Sequence, residues 1–113
     1  MSDMQRIRNQ IQGDKLIVGF EDRKIIVPEA IDEMGREMAS LTDVIEKHSI
    51  KTVSLDFQGV DFCASSALRQ LIVFKKQLGD IGVPLLVRNL RPEIREVFRI
   101  TRLDQTFGME DEV

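Results

Sequence analysis

The chain has 113 residues, of which 42% are apolar and 31% charged, and its formal net charge is −3 at pH 7. A chain of this size forms one domain without needing disulfides or a structural metal, and its negative charge argues against general nucleic-acid binding. No apolar run reaches the ~20 residues of a membrane-spanning helix, the first ten residues lack the apolar core of a secretory signal, and a single cysteine excludes an internal disulfide, so a cytoplasmic protein is expected.

Two short strands open the chain. Alternating apolar residues predict strands over residues 6–11 and 16–20. Gly13 and Asp14 between them supply the backbone freedom of a tight turn. The beginning of the chain is therefore interpreted as a β-hairpin.

A long amphipathic helix follows from Pro28, a residue that suits the first helical position because its missing N–H would have no partner there. Apolar residues then recur at steps of three and four: Ile31, Met34, Met38, Leu41, Ile45 and His48. Gly35 costs such a helix up to about 1 kcal/mol relative to alanine. Close packing against a neighbouring element is one explanation for it.

Strands and helices alternate through the second half. Residues 51–57 predict a strand with a partly wet face, since one side carries Val53, Leu55 and Phe57 and the other Thr52, Ser54 and Asp56. A connection over 58–64 leads to a second helix from Ser65 to Asp80 that stops at Gly82. A short buried strand over 84–88, a third helix from Pro92 carrying Ile94, Val97 and Phe98, and a last short strand over 106–109 complete the chain.

The order β-β-α-β-α-β-α predicts a single α/β domain in which helices pack against a mixed sheet of four to five strands. Its core is expected over about residues 4–109, and residues 110–113 are interpreted as an acidic tail.

Two serines stand at the start of the second helix. Ser65 is predicted to be the N-cap, so that Ser66 takes the first helical position. At ~100° per residue one side of this helix is apolar: Ala67, Leu68, Leu71, Phe74, Leu78 and Ile81. Ser66 lies nearly opposite, in line with Arg69, Gln70, Val73 and Gln77, so its hydroxyl is expected to face solvent or a partner. A phosphate there would be favoured by the helix N–H groups and would add almost two negative charges. The plain alternative is a helix start with no further role.

Residues 53–71, VSLDFQGVDFCASSALRQL, resemble the central segment of bacterial anti-sigma factor antagonists, which belong to the STAS family. In that family a strand ending in Asp is followed by a loop and by Asp-Ser-Ser-Gly-Leu at a helix start. Residues 82–107 are also similar to the family, with a Gly-x-Pro-Leu-Leu-Val strand entry, Arg-Pro-Glu-Ile, Thr-Arg-Leu-Asp and a following Phe. The resemblance covers about residues 16–107 and implies the STAS fold.

The resemblance implies a partner-switching regulator that is not an enzyme and needs no cofactor. In the family the second serine is phosphorylated by a serine kinase that is itself the anti-sigma factor, and a PP2C-type phosphatase resets the cycle. Carried over by position, the phosphoacceptor is Ser66, with Ser65 beside it and Asp56 as the strand-end acid. The expected partner-binding residues are Ser65, Ser66, Arg69, Gln70, Val73 and Asp56. We call the five of them on the second helix the serine strip.

The sequence departs from the family motif at two positions. Ala64 stands where the motif has Asp, and Ala67 stands where it has Gly. Both changes favour a rival hypothesis, in which the protein is a non-phosphorylated STAS adaptor or scaffold subunit that binds a transporter ATPase or a signalling complex.

Other candidate sites are weaker. Cys63 lacks a nearby base, because the lone histidine, His48, is predicted at the far end of the first helix. One Cys and one His predict no zinc site, and no phosphate-binding glycine loop occurs. Four arginines recur along the third helix, Arg91, Arg95, Arg99 and Arg102. An anion or acidic partner is one interpretation of this row, and a solvated face balanced by glutamates is the favoured one.

Overall fold

The computed structural model describes residues 6–109, which contain seven strands and four helices. The strands are β1 Ile7–Gln12, β2 Lys15–Phe20, β3 Lys24–Ile25, β4 Thr52–Asp56, β5 Phe62–Cys63, β6 Leu85–Arg88 and β7 Gly108–Met109. The helices are α1 Pro28–Lys47, α2 Ser65–Asp80, α3 Pro92–Ile100 and α4 Leu103–Thr106. Every predicted element is present with its ends within two residues of the prediction. The predicted acidic tail lies outside the described residues.

A mixed five-stranded sheet forms the centre of the fold, with the strand order β1-β2-β4-β6-β7. β1 is antiparallel to β2, and the remaining neighbours are parallel, with Val18, Leu55 and Val87 side by side across three strands. The loops that follow β2, β4 and β6 therefore leave the same edge of the sheet. We call this the carboxyl edge; it comprises residues 21–27, 57–64 and 89–91.

One face of the sheet packs on the helices. Val53, Leu55 and Phe57 are fully buried in the core together with the apolar sides of α1 and α2. The opposite face opens into a groove lined by residues that include Ile17, Gly19 and Asp56, as the alternation in β4 predicts. Ser54 is nevertheless fully buried. The expectation of a wet face fails there because β4 is the central strand, flanked on both sides.

Four phenylalanines join the last third of the chain to the sheet. The rings of Phe20 and Phe57 have centroids 5.0 Å apart. Phe98 lies 5.9 Å from Phe57 and also 5.9 Å from Phe107. All four side chains are buried, and aromatic pairs at such distances attract one another beyond the effect of their buried area. This row holds α3 and the segment before β7 in place.

Several features were not predicted. β3 and β5 pair in parallel as a separate two-residue ribbon, too short to leave a periodic pattern in the sequence. α4 follows Arg102, whose positive φ of 63° interrupts the helical path after α3.

His48 was predicted on the apolar stripe of α1, but it is exposed and caps the helix end, its N–H donating to the carbonyl of Val44 at 3.0 Å. Ile81 was placed on the apolar side of the second helix and is instead 36% exposed, and Val97 of the third helix is 38% exposed.

Candidate functional site

The start of α2 lies at the carboxyl edge with its two serines exposed. The N-cap is Ala64, not Ser65, and no side chain caps the helix. The extended backbone of Ala64 (φ −69°, ψ 158°) lets its carbonyl accept the N–H groups of Ala67 and Leu68 at 3.0 and 3.1 Å. Within residues 6–109 neither serine hydroxyl makes a hydrogen bond, so both are available to an external partner.

The β3–β5 ribbon fixes where α2 begins. Ile25 and Cys63 are paired in the ribbon, and the N–H of Ala64 donates to the carbonyl of Ile25 at 3.0 Å. The next two residues of the first segment, Ile26 and Val27, are 45% and 51% exposed. They therefore place apolar surface beside the serines. Sequence reasoning missed both, although three consecutive apolar residues before Pro28 were the available signal.

Most of the serine strip faces outward. Arg69 is exposed and Val73 is 44% exposed, as predicted. Gln70 is half-buried and packs on α1, where a Cβ added to Gly35 would lie 2.8 Å from its Cδ. Gly35 thus leaves room for the end of the Gln70 side chain, and no backbone atom of α2 comes within 3.4 Å of the place that a Cβ would take. The use of these residues in partner binding stays a prediction.

Asp56 lies away from the strip, on the sheet face opposite the helices. Its Oδ1 accepts hydrogen bonds from the Gln58 N–H at 3.0 Å and from Asn89 Nδ2 at 2.9 Å. Arg88 Nη2 is 3.5 Å from its other oxygen. This carboxylate therefore ties the loops after β4 and β6, and its predicted role in binding a partner rests on the resemblance alone.

Asp61 forms the electrostatic centre of the carboxyl edge. Arg23 reaches Oδ2 with Nη2 at 2.8 Å and Nε at 3.0 Å, and Arg91 Nη1 is 3.2 Å from Oδ1. The backbone N–H of Asp61 also donates to the carbonyl of Arg23 at 2.7 Å. The hydrogen bond from Arg23 is the main cause that lowers the pKa of the Asp61 carboxyl below its usual value. One carboxylate thus joins the three loops of the carboxyl edge.

The remaining candidates offer no reactive group. Burial raises the pKa of the Cys63 thiol to about 12, which keeps it protonated and weakly nucleophilic. His48 precedes β4 and Cys63 follows it, so they lie at opposite edges of the sheet. Within residues 6–109 no three potential ligand side chains cluster to hold a metal ion.

The arginines of α3 do not form one free row. Arg91 pairs with Asp61, Arg99 pairs with Glu96 three residues earlier, and Arg102 lies beyond the end of the helix. This distribution favours the interpretation of a charge-balanced face.

Comparisons with known proteins identify relatives of the chain. The profile of the STAS domain matches residues 33–113. A putative anti-sigma factor antagonist of Bordetella bronchiseptica, BtrV, is 31% identical over 70 residues. That alignment covers 62% of this chain and 57% of BtrV, so the chain spans little more than half of the length of this curated relative.

Solved structures share the fold. An anti-sigma factor antagonist from Mycobacterium paratuberculosis superposes with a TM-score of 0.76 at 18% identity, covering 95% of this chain and 86% of that one. The Bacillus cell fate determinant SpoIIAA in its phosphorylated form gives a TM-score of 0.66 at 13% identity, covering 94% and 92% of the two chains. In the part of the chain that the structure describes, no helix has the length and apolar character to cross a bilayer.

Proposed function

The chain belongs to the STAS domain family, and on this premise we propose that it is an anti-sigma factor antagonist that binds a serine-kinase anti-sigma factor and is switched by phosphorylation of Ser66. The observation that carries the proposal is the exposed Ser66 hydroxyl in the first turn of α2, with no hydrogen bond inside the described residues. A kinase reaches this hydroxyl without local unfolding.

A phosphate on Ser66 would act through charge. The first turn of α2 contains no acidic residue, so the helix N–H groups and the dipole favour an added anion. Arg69 follows three residues later on the same side and is close enough to pair with it. A partner that covers the apolar Ile26 and Val27 would have to bury this charge, which is costly. Phosphorylation is therefore expected to release the partner.

Two relatives support this assignment by their descriptions. BtrV is described as a putative anti-sigma factor antagonist, and SpoIIAA has been solved in a phosphorylated form. The partners that we propose are an anti-sigma factor serine kinase and a PP2C-type phosphatase, acting in the cytoplasm. The protein itself catalyses no reaction in this scheme.

Phosphate mapping tests the acceptor. After incubation with the cognate serine kinase and ATP, mass spectrometry should find phosphate on Ser66 in the wild type and in Ser65→Ala, and none in Ser66→Ala. The two variants are matched, since neither hydroxyl bonds within the described fold. Unchanged phosphate incorporation into Ser66→Ala would contradict the assignment.

Calorimetric titration of the same kinase tests the switch. Ser66→Asp should weaken binding by about tenfold or more, equivalent to about 1.4 kcal/mol, whereas Ser66→Asn, of similar size and uncharged, should bind nearly as the wild type does.

A second candidate function is the adaptor or scaffold that binds a transporter ATPase or a signalling complex without phosphorylation. The neutral Ala64 at the N-cap position favours it, because the acid of the family motif is missing there. If Ser66→Asp and Ser66→Asn bind the partner equally well and no phosphate is found, the adaptor is the better description.

A further inference from the structure

Phe62 differs from every other phenylalanine of the protein. The sequence contains six phenylalanines and no tryptophan or tyrosine, and all six lie within residues 6–109. Five of them are buried, with at most 4% of their surface exposed, whereas Phe62 is 53% exposed. Aromatic residues are enriched at the interfaces of proteins relative to the rest of their surfaces. Packing of the core leaves about half of this ring open to another molecule.

The β3–β5 ribbon turns one face to the core and the other to solvent. Lys24 pairs with Phe62, and Ile25 pairs with Cys63. Side chains alternate between the two faces along each strand. Ile25 is buried and Cys63 packs against the core, so this pair faces inward. Lys24 and Phe62 are both exposed and face outward.

Ile26 continues the outward face of the ribbon. The N–H of Ala64 donates to the carbonyl of Ile25 at 3.0 Å, which extends the pairing by one residue beyond β3 and β5. Ile26 follows Lys24 by two residues and is 45% exposed, as this alternation requires. A strand spacing of ~4.8 Å and a rise of ~3.3 Å per residue place its Cα about 8 Å from that of Phe62.

Val97 of α3 also lies next to Phe62. Both side chains line one hollow of about 110 Å³, and Val97 is 38% exposed. Three exposed apolar side chains therefore neighbour one another, and we call Ile26, Phe62 and Val97 the ribbon patch. Single apolar residues are ordinary on a protein surface, whereas contiguous ones mark a place where another protein binds.

The ribbon patch lies within the area that a protein bound at Ser66 covers. Phe62 precedes Ser66 by four residues, so their Cα atoms are at most ~15 Å apart. The hydrogen bond between Ala64 and Ile25 limits the distance from Ile26 to Ser66 to ~15 Å as well. An interface of standard size covers ~800 Å² of each partner, which is a circle with a radius of ~16 Å. A kinase that encloses the Ser66 hydroxyl centres its contact there, and both apolar side chains fall inside this radius.

We propose that the serine kinase recognises this protein through the ribbon patch, with the ring of Phe62 as the anchor in an apolar recess of the kinase. The inference rests on the proposed function and names the residues that select this chain as a substrate. Ser66 Oγ takes the γ-phosphoryl group of ATP, ADP leaves, and the hydroxyl proton passes to a base of the kinase. The ribbon patch takes no part in that transfer, and none of its three residues belongs to the serine strip.

Steady-state kinetics of the kinase that labels Ser66 in the mapping experiment test this role. Phe62→Ser should raise KM for this protein by at least about tenfold, because the half of the ring that is now exposed is no longer buried in the complex. The value of kcat should stay within about twofold, since the acceptor and its surroundings in α2 are unchanged. Ile26→Ser, which removes a smaller side chain, should raise KM by about fivefold.

Ile81→Ser is the matched control. Ile81 is 36% exposed at the far end of α2, ~22 Å along the helix from Ser66, and lies outside the expected contact. Its KM should stay within about twofold of the wild type. Urea unfolding of the three variants shows that each is folded, and Ile26→Ser tests the patch independently if Phe62→Ser is not.

Four outcomes would overturn the inference. Phosphorylation of Ser66 with an unchanged KM in Phe62→Ser and Ile26→Ser would reject the ribbon patch and leave the proposed function standing. An equal rise of KM in Ile81→Ser would remove its specificity. Self-association in sedimentation that Phe62→Ser abolishes would make the patch an interface between copies of the chain. A Ser66 that no serine kinase phosphorylates would overturn the proposed function and this inference with it.

Discussion

Glu37 lies in α1 with its side chain almost completely buried against the start of β1. Its Oε1 accepts the N–H groups of Arg6 and Ile7 at 3.0 and 3.1 Å. Glu37→Ala should lower the free energy of unfolding by about 1–3 kcal/mol, because the buried N–H of Ile7 loses its partner. Glu37→Gln should cost less, since an amide oxygen still accepts. Urea unfolding at pH 7 measures both.

The control for this prediction is Glu46→Ala, on the same helix at an exposed position. It should change the free energy of unfolding by no more than about 0.5 kcal/mol. If Glu37→Ala lowers the free energy of unfolding no more than Glu46→Ala does, the hydrogen bonds that Glu37 accepts do not stabilise the fold as assigned.

The contacts of single residues were harder to predict from the sequence than the helices and strands were. Glu37 stands among charged residues between two buried methionines, and nothing local shows that it turns inward. The same holds for Ser65, whose type fits an N-cap although Ala64 occupies that position. The β3–β5 ribbon sets the start of α2 through the backbone hydrogen bond from Ala64 to Ile25. The preferences of residue types for the N-cap position contain no information about such a contact between distant segments.

At the scale of elements, Gly35 of α1 lies against the side chain of Gln70 of α2. A Cβ at this position meets only the flexible end of Gln70, and its φ is not positive. Gly35→Ala should therefore leave the fold intact and raise the free energy of unfolding, by up to about 1 kcal/mol from helix propensity, reduced by the displacement of Gln70. Thermal and urea unfolding of the single variant measure the net change.

A double variant isolates the displaced side chain. Gly35→Ala should raise the free energy of unfolding more in a Gln70→Ala background than in the wild type, because the side-chain amide of Gln70 no longer obstructs the added methyl group. A destabilisation by Gly35→Ala in both backgrounds would show that the helices themselves are forced apart.

The long elements followed from sequence because periodic burial leaves a pattern over many residues. α1 and α2 repeat their apolar steps over several turns, and their beginnings at Pro28 and Ser65 match the prediction. β3, β5 and α4 have two to four residues each, so tertiary contacts decide them. Phe62 and Val27 lie in or beside these short pieces, and their exposure was missed for that reason.

At the scale of the whole molecule, one ionic cluster couples the loops of the carboxyl edge. Hydrogen bonding from Arg23 keeps the pKa of Asp61 in the folded protein below its usual value of 3.8. The contribution of this carboxylate to stability is therefore complete above that value and is lost as the pH falls through the lower pKa of the folded state. The difference in free energy of unfolding between wild type and Asp61→Asn should shrink as the pH falls from about 6 to about 3.

Salt provides an independent check on this cluster. About 1 M NaCl should narrow the same difference at pH 6, because Arg23 is largely exposed and its interaction with Asp61 is screened. A difference that is constant with pH and with salt would show that packing of the loop, and not the ion pairs, connects these segments.

The two serine hydroxyls at the start of α2 make no hydrogen bond within residues 6–109, and the β3–β5 ribbon holds the helix start in their place. Substitutions at Ser65 or Ser66 therefore leave the hydrogen bonds of the fold intact. We therefore expect substitutions at these two positions to change what the protein binds more than how stably it folds. If the proposed partner binds at this helix start, its specificity can change while the scaffold stays the same.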